Sequence, residues 1–307
     1  MNNLNKLKSL VKGSFFENEP MSKHTSYGIG GPALAYIIPK DKNVLTVILN
    51  HANNYKIPVY FIGSGSNLLV SDDGIEGIVL SPQKSLKKLE INSNFILAES
   101  GVMLGKLVKE SINRNLTGLE SLVGVPGTLG GALIMNAGAF GGEISNYLIS
   151  VDVMTSKGKL RSYNSNEINF SYRLSSFKPD EFILAAKFEL TYEDPIIIND
   201  KKKKASSGRK TNQPLRFRSA GSVFKNPKGY AAGYLIEQVG LKGTRIGDAE
   251  ISNHHANFFI NHGNASAANI KKLIELAKEK VFQEFHIELG LEIKMMGFNL
   301  NQKVDLN

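Results

Sequence analysis

A chain of 307 residues, 42% hydrophobic and 21% charged, is long enough for about two globular units, and that composition excludes disordered and fibrous classes. Cysteine is absent, which removes disulfide scaffolds, cysteine nucleophiles, iron–sulfur clusters and zinc ribbons, and a reducing cytoplasm fits best. The net charge of +9 is almost wholly local: residues 201–218 hold eight Lys/Arg and no acid, while the rest balances 29 basic residues against 28 acidic ones.

No stretch approaches the ~18 uninterrupted apolar residues of a spanning helix. The first twenty residues interrupt their apolar positions with Lys and Asn, so they lack the apolar core of a signal peptide. Asp41 is placed to cap a helix that carries Val44, Leu45, Ile48, Leu49 and Ala52 on one face. After Pro58 the run VYFIG predicts a buried strand, and SDDG turns the chain into a second strand, GIVL. Leu104, Leu107, Val108 and Ile112 line up on one face of another helix. Two alternating segments between Ser150 and Tyr163 flank Ser156-Lys157-Gly158, a hairpin signal, and Phe182–Tyr192 reads as a long strand. Composition shifts after Asp194-Pro195, which predicts a boundary before a C-terminal domain. There a helix near Tyr230–Val239 closes at Gly240. A later helix from Ser266 carries Ile270, Leu273, Ile274, Ala277, Val281 and Phe285. It leads into a strand alternating Ile287, Leu289, Leu291, Ile293 and Met295, with Glu292 on the opposite face. Strands and helices without a steady βαβ rhythm predict an α+β fold.

Two glycine-rich segments stand out. Gly63-Ser64-Gly65-Ser66-Asn67 follows the VYFI strand, where small residues let backbone N–H groups approach an anion and Ser and Asn add donors. It is not a dinucleotide fingerprint, because position 68 is Leu and the continuation reads as strand-turn-strand. The second segment places eight glycines between Gly118 and Gly142, a density suited to backbone passing close to a long, flat, phosphorylated ligand. Packed glycine-rich connections are the bland alternative. Two such loops favour an extended dinucleotide such as FAD over a mononucleotide.

The lysine run Lys201–Lys204 reads as a solvated helix face. Arg209, Lys210, Arg216 and Arg218 lie beside Gly, Pro and Ser, in a segment less like a plain helix surface, and either anion binding or solvation suits them. No aromatic-basic stacking pattern or helix-turn-helix signature points to nucleic acid. His254-His255 in a strand would face opposite sides, so no metal site is expected.

The ordered set of segments resembles one family. Pro58–Val70, Gly124–Gly131 (GVPGTLGG), Met135–Gly142 (MNAGAFGG), Phe170-Ser-Tyr-Arg173, Arg209 before Gln213-Pro214, Gly221–Pro227 (GSVFKNP) and Leu291-Glu-Ile-Lys294 are similar to segments of the UDP-N-acetylenolpyruvoylglucosamine reductase (MurB) family, from about Thr25 to Gly297. The chain is short and has no Tyr-bearing insertion before its C-terminal domain, which resembles the shorter second type.

The resemblance implies an FAD-binding module of the vanillyl-alcohol-oxidase (PCMH) type in two subdomains, residues 1–82 and 83–200, followed by an α+β substrate-binding domain over 201–307. It implies an NADPH-dependent, cytoplasmic, monomeric flavoenzyme with non-covalent FAD. Such an enzyme reduces UDP-N-acetylglucosamine enolpyruvate to UDP-N-acetylmuramate for peptidoglycan, with neither nucleic-acid nor membrane partners. Carried over residue by residue, Ser222 is the proton donor, and Arg173 and Glu292 polarise the carboxylate and the developing enolate. FAD contacts fall to Gly63, Ser64, Gly65, Ser66, Asn67, Pro126, Gly127, Thr128, Gly130, Gly131, Asn136 and Gly138. Substrate contacts fall to Arg209, Lys225 and Asn226. One position departs from the pattern: Asn212 stands where the family usually has a lysine before Gln-Pro, and Lys210 or Lys225 is placed to compensate. Two other classes remain open at this point: a flavin oxidase of the same fold, and a non-enzymatic nucleotide- or nucleic-acid-binding protein using residues 201–218.

Overall fold

The computed structural model describes residues 2–11 and 13–298. They divide into two units that are interleaved in sequence. Residues 1–17, 35–64 and 77–211 form the first, and residues 18–34, 65–76 and 212–307 form the second.

The first unit has two apolar cores. One lies on a four-stranded sheet ordered Gly13–Pro20, Pro32–Pro39, Ile75–Leu80, Val59–Phe61, with the last two strands parallel. Its helix, Lys42–Asn54, starts where the sequence placed it: the Asp41 carboxylate accepts from the N–H groups of Asn43 and Val44, both at 2.9 Å. Such a cap is worth about 1 kcal/mol. The stripe Val44, Leu45, Ile48, Leu49 and Ala52 is buried against Ile37, Ile78 and Leu80, as its spacing predicted. The VYF strand is shallower than expected, with Val59 and Phe61 half-buried and Tyr60 exposed.

The second core packs helix Leu104–Ile112 and the short helix Leu129–Ile134 with a five-stranded antiparallel sheet. That sheet is ordered Leu160–Asn164, Leu148–Thr155, Glu181–Glu189, Phe95–Glu99, Leu89–Asn92. The hairpin around Ser156-Lys157-Gly158 forms as read. The strand expected over Phe182–Tyr192 stops at Glu189, and Thr191–Tyr192 pairs separately with Leu116–Thr117.

The cationic segment differs from expectation. Helix Pro195–Asn212 runs unbroken through Lys201–Lys204 and on through Arg209 and Lys210. Lys, Ala and Arg are good helix formers, Gly208 is accommodated where the chain approaches the Phe140 ring, and only Pro214 and the residue before it stop the helix.

The second unit has a single core of residues from all three of its segments, including Tyr27, Ile29, Leu69, Phe224, Phe259 and the stripe of helix Ala267–Phe285. That helix is capped by Ser266 in a capping box with Asn269. Asp72, from the 65–76 segment, also accepts from the N–H groups of Ala267 and Ala268 at 2.8 and 3.0 Å. The helix near 230 spans Ala232–Gln238 and closes at Gly240. The expected strand over 287–295 is ladder-paired only at Lys294–Met296, parallel to Leu68–Val70. His286 takes a left-handed conformation that breaks the path before it. The alternation survives as burial, with Leu289 and Ile293 inside and Glu288 and Gly290 outside. Among the described residues, no helix is long and apolar enough to cross a membrane.

Candidate active site

In the first unit the two glycine segments converge. Gly63 has no room for a side chain, because a Cβ there would enter the Thr128 hydroxyl. Thr128 itself caps helix Leu129–Ile134 by accepting from the Gly131 N–H. Gly130 packs against Ser100, within 3.0 Å of its Cβ for any added methyl group, and donates its N–H to the Ser100 carbonyl. Pro126 and Gly131 are exposed, and Gly127 and Thr128 are buried beneath them.

Asn136 is fully buried with φ +45°, and its Nδ2 donates to Glu143 Oε2 at 2.7 Å and to the Ser171 carbonyl at 3.2 Å. Gly138 opens the small hairpin that carries Glu143. The Asn136 Oδ1 and the hydroxyls of Ser64, Ser100 and Ser121 are buried without a hydrogen-bond partner. Each orphaned polar atom costs about 1–3 kcal/mol. Four of them around side-chain-free backbone describe a seat for a ligand bearing both donors and acceptors.

Asn136 also supports the next candidate. The Ser171 carbonyl it holds belongs to a two-residue hairpin, Phe170–Ser171 against Leu174–Ser175, whose turn is Tyr172-Arg173. Arg173 has φ +57°, and its guanidinium lies over the Tyr172 ring at 5.0 Å. Arg209 is half-buried at the end of helix Pro195–Asn212. Its Nε donates to the Val123 carbonyl at 2.8 Å and its guanidinium faces the Phe140 ring at 5.6 Å. Burial, and then the charge of Arg173, lower its pKa below the usual arginine value. The unit thus holds two cations close enough to repel, an arrangement favoured by an anionic ligand.

In the second unit Ser222, Lys225 and Glu292 come together on adjacent extended segments. Ser222 bridges Phe258, and Phe224 bridges Leu291, both antiparallel. The Val223 N–H donates to the Asn257 carbonyl, and its own carbonyl accepts from the Glu292 N–H, each at 2.8 Å. Lys225 donates its N–H to Gly290 O at 2.9 Å. Desolvation of the ammonium, and then Lys225, lower the pKa of Lys294, so a second cation pair forms here.

The remaining predicted residues have visible structural duties. The Asn226 Oδ1 accepts from the Ala232 N–H at the start of helix Ala232–Gln238. Asn67 donates its Nδ2 to the Glu292 carbonyl and accepts the Lys294 N–H at its own carbonyl, both at 2.9 Å, so it fixes the glutamate segment. Gly65, at φ +68°, passes where a Cβ would strike the His24 carbonyl, and Ser66 joins it to Asn67. Asn257, whose side chain binds the backbone beside Ser222, and Lys294 were missed. Asn257 carries no local sequence signal, and Lys294 was read only as the end of the Leu291–Lys294 segment; both act through long-range pairing.

Comparison with known proteins identifies the family. Residues 33–164 match an FAD-binding domain family, and residues 213–296 match the C-terminal domain of UDP-N-acetylenolpyruvoylglucosamine reductase. Ser64, Ser100, Ser121 and Asn136 all fall inside the first match, and their mixed donors and acceptors fit a flavin dinucleotide. UDP-N-acetylenolpyruvoylglucosamine reductase of Clostridium tetani is 40% identical over 95% of this chain and 95% of its own. The enzyme of that name from Exiguobacterium sibiricum is 40% identical over 94% and 95%. The crystal structure of UDP-N-acetylenolpyruvylglucosamine reductase from Thermus caldophilus superposes with a TM-score of 0.80 at 32% identity, covering 93% of this chain and 99% of that one. The chain belongs to the UDP-N-acetylenolpyruvoylglucosamine reductase family, FAD-containing oxidoreductases of peptidoglycan precursor synthesis.

Proposed function

We propose that the protein uses NADPH to reduce UDP-N-acetylglucosamine enolpyruvate to UDP-N-acetylmuramate, as a cytoplasmic monomer. In this reading residues 1–82 and 83–200 form the two halves of the FAD module, and residues 201–307 bind substrate. The observation that carries it is the pairing of the Ser222 and Glu292 segments through Val223, which sets an acid-capable hydroxyl and a carboxylate on neighbouring runs of one unit. FAD held in that module would supply the hydride for the terminal carbon of the enolpyruvyl group.

The chain's own residues manage the charge and the proton on the substrate. Hydride addition pushes an electron pair towards the carboxylate, giving an enolate, and Arg173 stabilises that charge with Glu292 orienting the group. Ser222 Oγ gives its proton to the neighbouring carbon and regains one from solvent. A serine hydroxyl is a weak acid, so it serves only against a strongly basic carbanion held in place. Arg209 and Lys225 meet the diphosphate, and Lys225 with Lys294 stands in for the lysine absent at Asn212. Ser64, Thr128 and Asn136 hold the cofactor beside glycine backbone.

The test is anaerobic. NADPH added to the yellow protein bleaches the flavin band, and the enolpyruvyl nucleotide then restores it with formation of UDP-N-acetylmuramate. Bleaching by NADPH without recovery on adding the nucleotide would reject this substrate.

A further inference from the structure

We propose that Asn257 is a positioning residue for the Ser222 hydroxyl. The inference rests on the reading of Ser222 as proton donor. The run Ser222–Lys225 has a continuous neighbour on one side, the backbone of Gly290–Glu292. On the other side it meets Asn257 and Phe258, and the Phe258 N–H turns back to the His255 carbonyl. On this side the Phe224 backbone is bound by a side chain: Asn257 Oδ1 accepts from the Phe224 N–H at 2.9 Å, and Asn257 Nδ2 donates to the Phe224 carbonyl at 2.8 Å. The Asn257 carbonyl takes the Val223 N–H.

One residue therefore makes three hydrogen bonds to the two residues that come after Ser222. The job needs an acceptor and a donor on two separate atoms of one short side chain, which an amide has, whereas a hydroxyl offers both on a single atom and an ionised carboxylate has no donor. Asn257 is only 3% exposed, and Phe224 and Val223 are fully buried, so water has no access to replace it. Asn257 is itself held, its N–H donating to His255 Nδ1 at 3.2 Å. The amide acts on the reaction only through the backbone that carries the serine. Loosening it moves Oγ against the carbon it protonates, where a displacement of about 1 Å costs about 10²-fold.

The test compares Asn257→Ala, Asn257→Asp, Ser222→Ala and the Ser222→Ala/Asn257→Ala double variant as holoenzymes by anaerobic stopped flow, with thermal midpoints taken alongside. Asn257→Asp keeps the acceptor for the Phe224 N–H and sets an oxygen against the Phe224 carbonyl, and it carries the comparison if the alanine variant does not fold. Flavin reduction by NADPH should stay within about threefold of the parent. Reoxidation by the enolpyruvyl nucleotide should slow about 10- to 100-fold, with substrate affinity little changed. In the Ser222→Ala background the Asn257 change should cost less than about twofold more, because the two act as one unit. Losses that multiply in the double variant, or equal slowing of both half-reactions, would overturn the positioning role and leave the reading of Ser222 standing. A Ser222→Ala variant that reoxidises at the parent rate would overturn that reading and the role of Asn257 with it.

Discussion

In the first unit the candidate site is made by leaving side chains out: glycine backbone meets Thr128 and Ser100, and four polar atoms are buried without partners. In the second unit it is made by lining extended segments up, with Asn257 holding the serine run and Asn67 the glutamate run. The difference teaches which contacts each region tolerates losing. A cradle shaped by absence fails when volume is added, whereas a site shaped by register fails when one hydrogen bond is removed.

The largest effect tests the second region. Ser222→Ala should leave flavin reduction by NADPH within a few-fold and slow reoxidation by the enolpyruvyl nucleotide about 10²–10⁴-fold, the usual loss for a positioned general acid. Stopped-flow absorbance separates the two steps, and a variant impaired only in NADPH oxidation would move Ser222 to the flavin side of the comparison. Next comes volume in the first region. Gly63→Val drives carbon into the Thr128 hydroxyl and should weaken FAD retention about 10- to 100-fold, read by flavin released on dialysis. Unchanged retention would show that the Gly63–Thr128 approach lies outside the cofactor seat.

Arg209→Ala should raise the Michaelis constant for the nucleotide about tenfold and flatten its salt dependence, since one charge-assisted contact is lost. An unchanged constant would make the Arg173–Arg209 pair a feature of the fold alone. The smallest effect concerns His255, whose pKa is lowered, first by burial and further by the charges of His254 and Lys242, against its own backbone hydrogen bond and, more weakly, Glu237. The unfolded chain takes up a proton near pH 6.5 and the folded chain only at lower pH, so this stability is complete above about 6.5 and declines as pH falls towards the folded value. Thermal midpoints between pH 8 and pH 5 should fall more steeply for the parent than for His255→Asn, which keeps an acceptor for the Asn257 N–H without titrating. Parallel slopes would remove His255 from that account.

Much of the first region was legible because its signals are local. Asp41 followed by an apolar stripe is a cap and a helix at any position in a chain, and the missing Cβ of Gly63 is a property of one residue. Helix Pro195–Asn212 was misjudged at Arg209 because Gly208 reads as a breaker until Phe140 is found beside it. The second region was less legible. Asn67 reads as a ligand donor because it ends a glycine loop, but nothing local shows that its amide also donates to the Glu292 carbonyl, 225 residues away. Asn257 had no signal, since an asparagine after two histidines is ordinary until Phe224 lies opposite.

The interleaving of the two units has a consequence for how the chain is made. The backbone crosses between them after Glu17, Leu34, Ser64, Glu76 and Thr211. The core of the second unit includes Tyr27, Ile29 and Leu69 as well as residues from the last hundred. Its parallel pair joins Leu68–Val70 to Lys294–Met296, and Asp72 caps a helix that begins at Ala267. During synthesis those early segments wait, partner-less, until almost the whole chain has emerged, which makes this unit the slower to fold. For the same reason a fragment cut at residue 213 would expose apolar surface that Tyr27, Ile29 and Leu69 cover in the intact chain, and it would be prone to aggregate.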